Sequence, residues 1–183
     1  AHNTVIVNGS GKSGTTWDTR MNNVSLVASE PKPEAEPIST TFSFAAQFLN
    51  DTYNNCFQQR TNSIIRTSST SGYYLDVFRS KSKSTTNYND YIYHNIGDAV
   101  SLKFDDNSAV PLTASTKYAS DGSGSITGWK FFENVTSSSA TNKAVNATFS
   151  LNTVNTYMNV FMPSGFNREY ATALAPTTKG AEN

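Results

Sequence analysis

The stretch from Thr40 to Leu49, TTFSFAAQFL, constrains the fold more than any other part of the chain. Its odd-numbered positions are mostly small or polar, and its even-numbered positions carry Phe42, Phe44, Ala46 and Phe48. Successive side chains of a β-strand point to opposite faces, so this alternation predicts a strand with one aromatic face. A helix would spread the phenylalanines around its circumference. We therefore expect a central strand of an antiparallel sheet, with the aromatic face on a core and the other face towards water.

Further short apolar or alternating runs predict about ten strands separated by turns. They are Thr4–Val7, Val24–Ala28, Ser63–Arg66, Gly72–Phe78, Tyr91–Ile96, Ala99–Phe104, Val110–Thr113, Ile126–Phe132, Val145–Leu151 and Val154–Phe161. A helical turn is expected only near Arg168–Leu174. Short strands alternating with turns are typical of a sandwich. We predict an all-β, antiparallel β-sandwich domain at residues 15–162, between an N-terminal extension at 1–14 and a polar tail at 163–183.

Charge and composition exclude some partners. The chain has 14 lysines and arginines and 14 aspartates and glutamates, so its formal net charge is zero. A neutral chain has no field that would attract nucleic acid or an anionic membrane surface. No apolar run approaches the ~20 residues of a spanning helix, so no membrane insertion is expected. The chain opens at Ala1 without an initiator methionine, and it is rich in neutral polar residues; both predict a processed protein outside the cell or at the cell surface.

Sequence motifs predict no catalytic residue, metal site or cofactor. The stretch Val5–Ser13, VIVNGSGKS, imitates a phosphate-binding loop, but the first glycine of Gly-x4-Gly-Lys-Ser would fall at Ile6. His2 and His94 are too few for a metal site, and nothing marks a nucleophile that either could activate. Cys56 is the only cysteine, so we expect a buried thiol and no intrachain disulfide. We therefore predict that the protein is not an enzyme.

The segment from Tyr88 to Asn95 is the best candidate for a binding surface. Aromatic faces can stack on the C–H face of a sugar ring, while carboxyl and amide groups hydrogen-bond to its hydroxyls. The candidate glycan-binding residues are Asp90, Tyr91, Tyr93 and Trp129. The alternative is that the tyrosines are ordinary strand residues and that Trp129 packs in a core or at its rim.

Four stretches together resemble subunits of chaperone–usher fimbriae. They are Asn95–Leu112 (NIGDAVSLKFDDNSAVPL), Ala140–Leu151 (ATNKAVNATFSL), Asn3–Ser10 (NTVIVNGS) and Thr41–Cys56 (TFSFAAQFLNDTYNNC). The chain departs from that family in two respects. Many such pilins have two cysteines that pair, and they tend to end at the closing strand, whereas this chain has one cysteine and continues for about thirty residues past Leu151.

The resemblance implies a structural subunit of a surface filament, a pilus or fimbria that supports adhesion. Its immunoglobulin-like sandwich would lack one strand, and the donor strand Thr4, Val5, Ile6 and Val7 of the next subunit would complete it. Such contacts do not close on themselves, so they generate a head-to-tail homopolymer. The alternative from another class is a carbohydrate- or receptor-binding attachment domain that uses the candidate glycan-binding residues, with a host glycan or receptor as partner.

Overall fold

The computed structural model describes residues 4–7, 24–52, 54–84, 88–116 and 132–175. Within these ranges the protein consists of β-strands and one 3-10 turn at Asn152–Val154, with no α-helix. The strands form several antiparallel sheets in a sandwich-like arrangement, which confirms the predicted all-β, antiparallel sandwich fold class. The chain divides into two compact units, a first of Thr4–Tyr91 and a second that begins at Ile92. The domain bounds expected from the sequence stay a prediction.

The first unit is built on a four-stranded antiparallel sheet. Its strands are β1 (Thr4–Val7), β2 (Val24–Glu30), β3 (Phe42–Asp51), β4 (Cys56–Arg66), β5 (Gly72–Ser82) and β6 (Asn89–Ile92), which ends at the unit boundary. The order in the sheet is β2-β3-β4-β5, and β1 pairs with β6 in a separate two-stranded sheet. Each residue from Phe42 to Asp51 has a partner on β4, so β3 is the inner strand that the aromatic alternation predicts.

The second unit contains two three-stranded sheets. Its strands are β7 (Ala99–Phe104), β8 (Thr113–Ala114), β9 (Glu133–Ser137), β10 (Val145–Leu151), β11 (Thr156–Met162) and β12 (Ala171–Leu174). The sheet orders are β11-β10-β7 and β12-β9-β8. The buried core consists of Leu102, Val110, Val145, Ala147 and Tyr170. The strand predicted from the alternation of Val145–Leu151 is therefore confirmed, and its apolar positions form part of this core.

The aromatic face of the first sheet is only partly covered. We define it by Phe42, Phe44 and Phe48 of β3 with Phe57 of β4, because the register places Phe57 opposite Asn50 and so on the same side. Phe42 is 39% exposed and Phe57 is 38% exposed. The expectation that this face packs on a closed core is therefore wrong at both ends of the sheet.

The opposite face of the same sheet is the better covered one near Cys56. This residue is 0% exposed, which is the buried thiol expected from the sequence, and neighbouring Gln58 is 8% exposed. Tyr91 of β6 lies against this side, with its ring 6.1 Å from that of Phe78. The face with polar side chains is thus covered near Cys56, where β6 lies across it. Sequence alternation alone cannot show which face a distant strand will cover.

Other local expectations fall partly outside the described residues or are corrected. The extension at 8–14 and most of the predicted strand Ile126–Phe132 are not among the described residues. The helical turn expected near Arg168–Leu174 is wrong, because Ala171–Leu174 is a strand that pairs with β9. Thr172 there shares a 2.8 Å hydrogen bond with Thr136. In the described ranges, no helix has the length and apolar character needed to cross a membrane.

Candidate functional site

One end of the aromatic face forms a cleft of about 380 Å³. We call it the aromatic cleft. Its lining residues come from three adjacent strands and are Phe48, Phe57, Gln58, Gln59, Arg79, Ser80 and Lys81. A cleft of this size that combines aromatic rings, amides and charged groups has the mixture of apolar surface and directed polar groups that small-molecule and sugar sites need.

Strand register sets the side chains of the cleft in rows. Phe48 of β3 lies opposite Gln59 of β4, which lies opposite Arg79 of β5. In the next row on the same face, Phe57 lies opposite Lys81. Neighbouring strands are about 4.8 Å apart, so a row of three side chains spans about 10 Å. This width is comparable with one or two sugar rings.

The floor of the cleft is a stacked aromatic pair. The ring centres of Phe48 and Phe57 are 5.9 Å apart, and the ring planes are 25° from parallel. Rings stacked in this way contact each other and form one continuous apolar surface. Because Phe57 is 38% exposed, part of that surface is open to a ligand.

Three basic residues lie along the β5 side of the cleft, and two of them, Arg79 and Lys81, line it. Arg79, Lys81 and Lys83 alternate along the chain, so they project from the same face. Lys83 continues the ladder just past β5, since its backbone N–H donates to the carbonyl oxygen of Asn55 at 2.9 Å. In the part of the chain that the structure describes, the ion pairs join other residues, so none of the three cations is paired with a carboxylate there.

Lys83 is the most restrained of the three. Its Nζ donates to Oδ1 of Asn50 at 2.7 Å and lies 4.5 Å from the centre of the Phe57 ring. The attraction of an ammonium group to an aromatic face is worth about 0.5–1 kcal/mol at an exposed site. Lys83 therefore holds its charge over the aromatic floor.

A charged network lies on the opposite face of the sheet. Arg60 donates through Nε to Oδ1 of Asp76 at 2.9 Å and through Nη2 to Oδ2 at 2.6 Å, and its guanidinium lies 5.0 Å from the centre of the Phe78 ring. Tyr91 donates its hydroxyl to Oδ2 of Asp76 at 2.8 Å. Burial alone would raise the pKa of Asp76, but the hydrogen bonds from Arg60 and Tyr91 and the charge of Arg60 outweigh it, so that pKa is lowered. The bond to Asp76 likewise raises the pKa of Arg60.

The structure gives the candidate glycan-binding residues separate surroundings. Asp90 and Tyr91 belong to β6, and Tyr91 contacts Asp76 and Phe78 of β5 within the first unit. Tyr93 belongs to the second unit, where its ring lies 5.7 Å from that of Phe149. Trp129 lies outside the described residues. Their role in sugar binding stays a prediction.

Sequence reasoning misses the aromatic cleft, although one signal for it is present. The run from Arg79 to Lys83 reads Arg-Ser-Lys-Ser-Lys, a strict alternation of cations and serines that predicts a strand with one basic face. Composition alone indicates a polar, basic loop from Lys81 onward. The structure extends β5 through Ser82, which pairs with Cys56. Among the described residues, no group of three or more His, Cys, Asp or Glu side chains could hold a metal ion.

Comparison with known proteins adds one informative relative. Neither a family model nor a solved structure matches the chain. Among curated proteins, the chain is 46% identical over 190 aligned residues to an endo-acting ulvan lyase of Formosa agariphila. The alignment covers 100% of this chain and 23% of that protein, so the chain spans about a quarter of the length of the curated relative it matches.

This relative overturns several expectations. The resemblance to fimbrial subunits is wrong, and with it the predictions of a pilus subunit supporting adhesion and of a head-to-tail homopolymer, because the whole chain aligns with part of a polysaccharide lyase. The prediction that the protein is not an enzyme is contradicted by the same match. Thr4–Val7 is not an unpaired donor either, since β1 pairs with β6 of its own chain and Val7 is 2% exposed.

One of the stretches that suggested fimbriae, Asn95–Leu112, has a simpler physical explanation. Asp105-Asp106-Asn107 is the turn after β7, where Asn107 takes a φ of 65° and the backbone N–H of Ser108 donates to Oδ1 of Asp106 at 2.8 Å. Asparagine tolerates this left-handed conformation, and aspartate commonly accepts hydrogen bonds from the residues that follow it in a turn. Any antiparallel sheet can use this turn, so it does not identify a family.

Proposed function

We propose that this chain binds a polysaccharide as part of an enzyme that degrades it, and that the sugar chain lies in the aromatic cleft. The observation that carries the proposal is the half-exposed, stacked Phe48–Phe57 pair beside amide and basic side chains. The C–H face of a sugar ring would pack against the exposed part of the Phe48–Phe57 pair that the Lys83 ammonium does not cover. Gln59 would hydrogen-bond to ring hydroxyls, since a side-chain amide offers both donors and an acceptor. This is closer to the glycan-binding alternative than to the filament.

The relative supports the choice of ligand. An endo-acting ulvan lyase acts on ulvan, a polysaccharide. This chain is 46% identical to a region that makes up about a quarter of that enzyme, so we propose that it binds the same class of polymer. Such polymers are met outside the producing cell, so we place the protein there, in the medium or at the cell surface.

Affinity electrophoresis in gels that contain ulvan tests the proposal. The wild-type protein should be retarded in proportion to the polymer concentration, and the Phe57→Ala variant should bind at least about tenfold more weakly, because a stacked apolar contact is lost. Phe161→Ala is the matched control: Phe161 is 61% exposed on β11 of the second unit, remote in sequence from the cleft. Unchanged binding of Phe57→Ala, or loss of binding only in Phe161→Ala, would overturn the proposal.

A further inference from the structure

We propose that the aromatic cleft selects acidic sugars, by binding a carboxylate or sulfate ester of the polysaccharide between Arg79 and Lys81, with Lys83 as a third cation. This inference rests on the proposed function, and it names the chemical class of the ligand. The three side chains stand beside the aromatic floor and have no carboxylate partner within the described residues.

Strand geometry gives the cations a regular spacing. Residues two apart on a strand are about 7 Å from each other and share a face. Lys81 lies directly opposite Phe57, and Arg79 lies opposite Gln59. A sugar ring packed against the exposed part of the Phe48–Phe57 pair would therefore place a substituent at its edge within reach of the basic row, one strand spacing away.

The charge of this region differs from that of the whole chain. Acidic and basic residues number 14 each in the sequence, but among the described residues the basic side chains of the cleft have no acidic neighbour on their own face. The nearby acidic residues of the same sheet, Asp51 and Asp76, project from the other face. Their partners on β4, Cys56 and Asn62, are at even-numbered positions, whereas Phe57 and Gln59 of the cleft are at odd-numbered ones. Three like charges about 7 Å apart repel each other. An anion placed among them would relieve that repulsion, which is the charge complementarity that identifies the occupant.

The three donors suit an acidic group chemically. Arg79 offers a planar fork that can hold two oxygens of a carboxylate or sulfate at once. Lys83 uses one of its three ammonium hydrogens on Asn50 and can direct another to the ligand. Because Lys83 is already held over Phe57, less side-chain entropy is lost when an anion binds.

A different explanation of the same residues concerns aggregation. β5 is at the edge of the sheet in the described order β2-β3-β4-β5, and lysines on edge strands prevent two sheets from pairing. In that case the cations would control self-association and not ligand choice. If the cations bind the ligand, neutralising them weakens ulvan binding. If they prevent pairing of sheets, neutralising them causes self-association. The experiment must therefore measure both affinity and oligomeric state.

The experiment compares Arg79→Gln, Lys81→Gln and the double variant with Arg66→Gln. Arg66 is a matched control, since it is exposed on the same sheet but at an even-numbered position of β4, on the face opposite the cleft. Dissociation constants for ulvan are measured by affinity electrophoresis at 50 and 500 mM sodium chloride, and the oligomeric state by analytical ultracentrifugation. Dextran, carboxymethyl dextran and dextran sulfate serve as competitors that share a backbone and differ in charge.

We expect each single variant to bind ulvan about tenfold more weakly at low salt, because a charge-assisted hydrogen bond is lost. The double variant should lose most of the salt dependence, whereas Arg66→Gln should match the wild type. Neutral dextran should compete least, and the stronger of the two charged dextrans identifies the carboxylate or the sulfate as the preferred group.

Two failures are distinguishable. If Phe57→Ala weakens ulvan binding but the cation variants do not, and dextran competes as well as its charged derivatives, this inference is overturned while the proposed function stands. Self-association of the double variant with unchanged affinity would likewise overturn the inference and would favour the edge-strand explanation. If Phe57→Ala also binds like the wild type, the proposed function itself falls.

Discussion

Tyr91 donates its hydroxyl hydrogen to Oδ2 of Asp76 at 2.8 Å, and this bond joins β6 to the four-stranded sheet. The same carboxylate accepts two hydrogen bonds from Arg60, so a single aspartate connects three strands of the first unit. The polar face of the sheet packs through this network, which leaves the aromatic face available at its ends.

Removal of the Tyr91 hydroxyl should loosen β6. We expect Tyr91→Phe to lower the free energy of unfolding of this region by about 1–2 kcal/mol, because a hydrogen bond to a charged group is lost while the ring contact with Phe78 remains. Faster amide hydrogen exchange in β6 would report it. Tyr157→Phe is the control, since Tyr157 is 58% exposed and donates only to Oδ1 of Asn155. Equal exchange rates in wild type and Tyr91→Phe would show that this hydrogen bond does not stabilise β6.

The ionised Asp76 should stabilise the protein in a defined pH range. Its pKa is lowered in the folded state, so its contribution is fully present above the unfolded value of about 3.9 and is lost as the pH falls through the folded value. We expect the wild type to exceed Asp76→Asn in unfolding free energy by about 1–2 kcal/mol between pH 5 and 8. The difference should shrink below about pH 4. Urea denaturation across this range is the measurement, and a difference that persists unchanged to pH 2 would contradict it.

Strands whose pattern is local can be predicted from the sequence. The alternation in Phe42–Asp51 and in Val145–Leu151 needs no partner to be visible, and both are strands. The first part of β4 escapes prediction because Gln58 and Gln59 carry polar side chains, although Gln58 is 8% exposed. The strand Ala171–Leu174 escapes it as well, because only its pairing with β9 distinguishes it from a turn.

The candidate site depends on register, which the sequence does not contain. Phe48 and Phe57 are separated by the β3–β4 turn, and they stack only because Asp51 pairs with Cys56 and so brings both rings to one face. The basic alternation of Arg79 to Lys83 is readable in the sequence, but its place beside those rings is not. The kinship with a polysaccharide lyase could not be derived from residue patterns at all, since common sandwich turns pointed to another family.

Substitution along β3 should separate its exposed and buried positions. Phe42 is 39% exposed, whereas Ala46 on the same face is 6% exposed. If the aromatic face packed on a closed core, as the sequence predicts, Phe42→Asp would abolish folding. Because Phe42 is exposed, we expect a folded protein that loses about 1–2 kcal/mol of apolar contact, including that with Phe44. Ala46→Asp should cost about 3–5 kcal/mol, because it buries an unpaired charge. Circular dichroism during thermal unfolding would rank the two, and equal melting temperatures would refute the assigned burial.

The packing of β1 gives a last prediction, which distinguishes a strand that packs within its own chain from one that is donated to another subunit. Val7 is 2% exposed and belongs to a strand that pairs with β6 of the same chain, so Val7→Asp should destabilise the monomer by about 3–5 kcal/mol. Val24→Asp is the control, because Val24 is 44% exposed on β2 at the edge of the sheet and should change stability by less than about 1 kcal/mol. A strand that served only to join subunits would give the reverse: Val7→Asp would melt like the wild type, because no contact within its own chain would be lost. Thermal unfolding at two protein concentrations makes the comparison, since stabilisation that came from another subunit would increase with concentration.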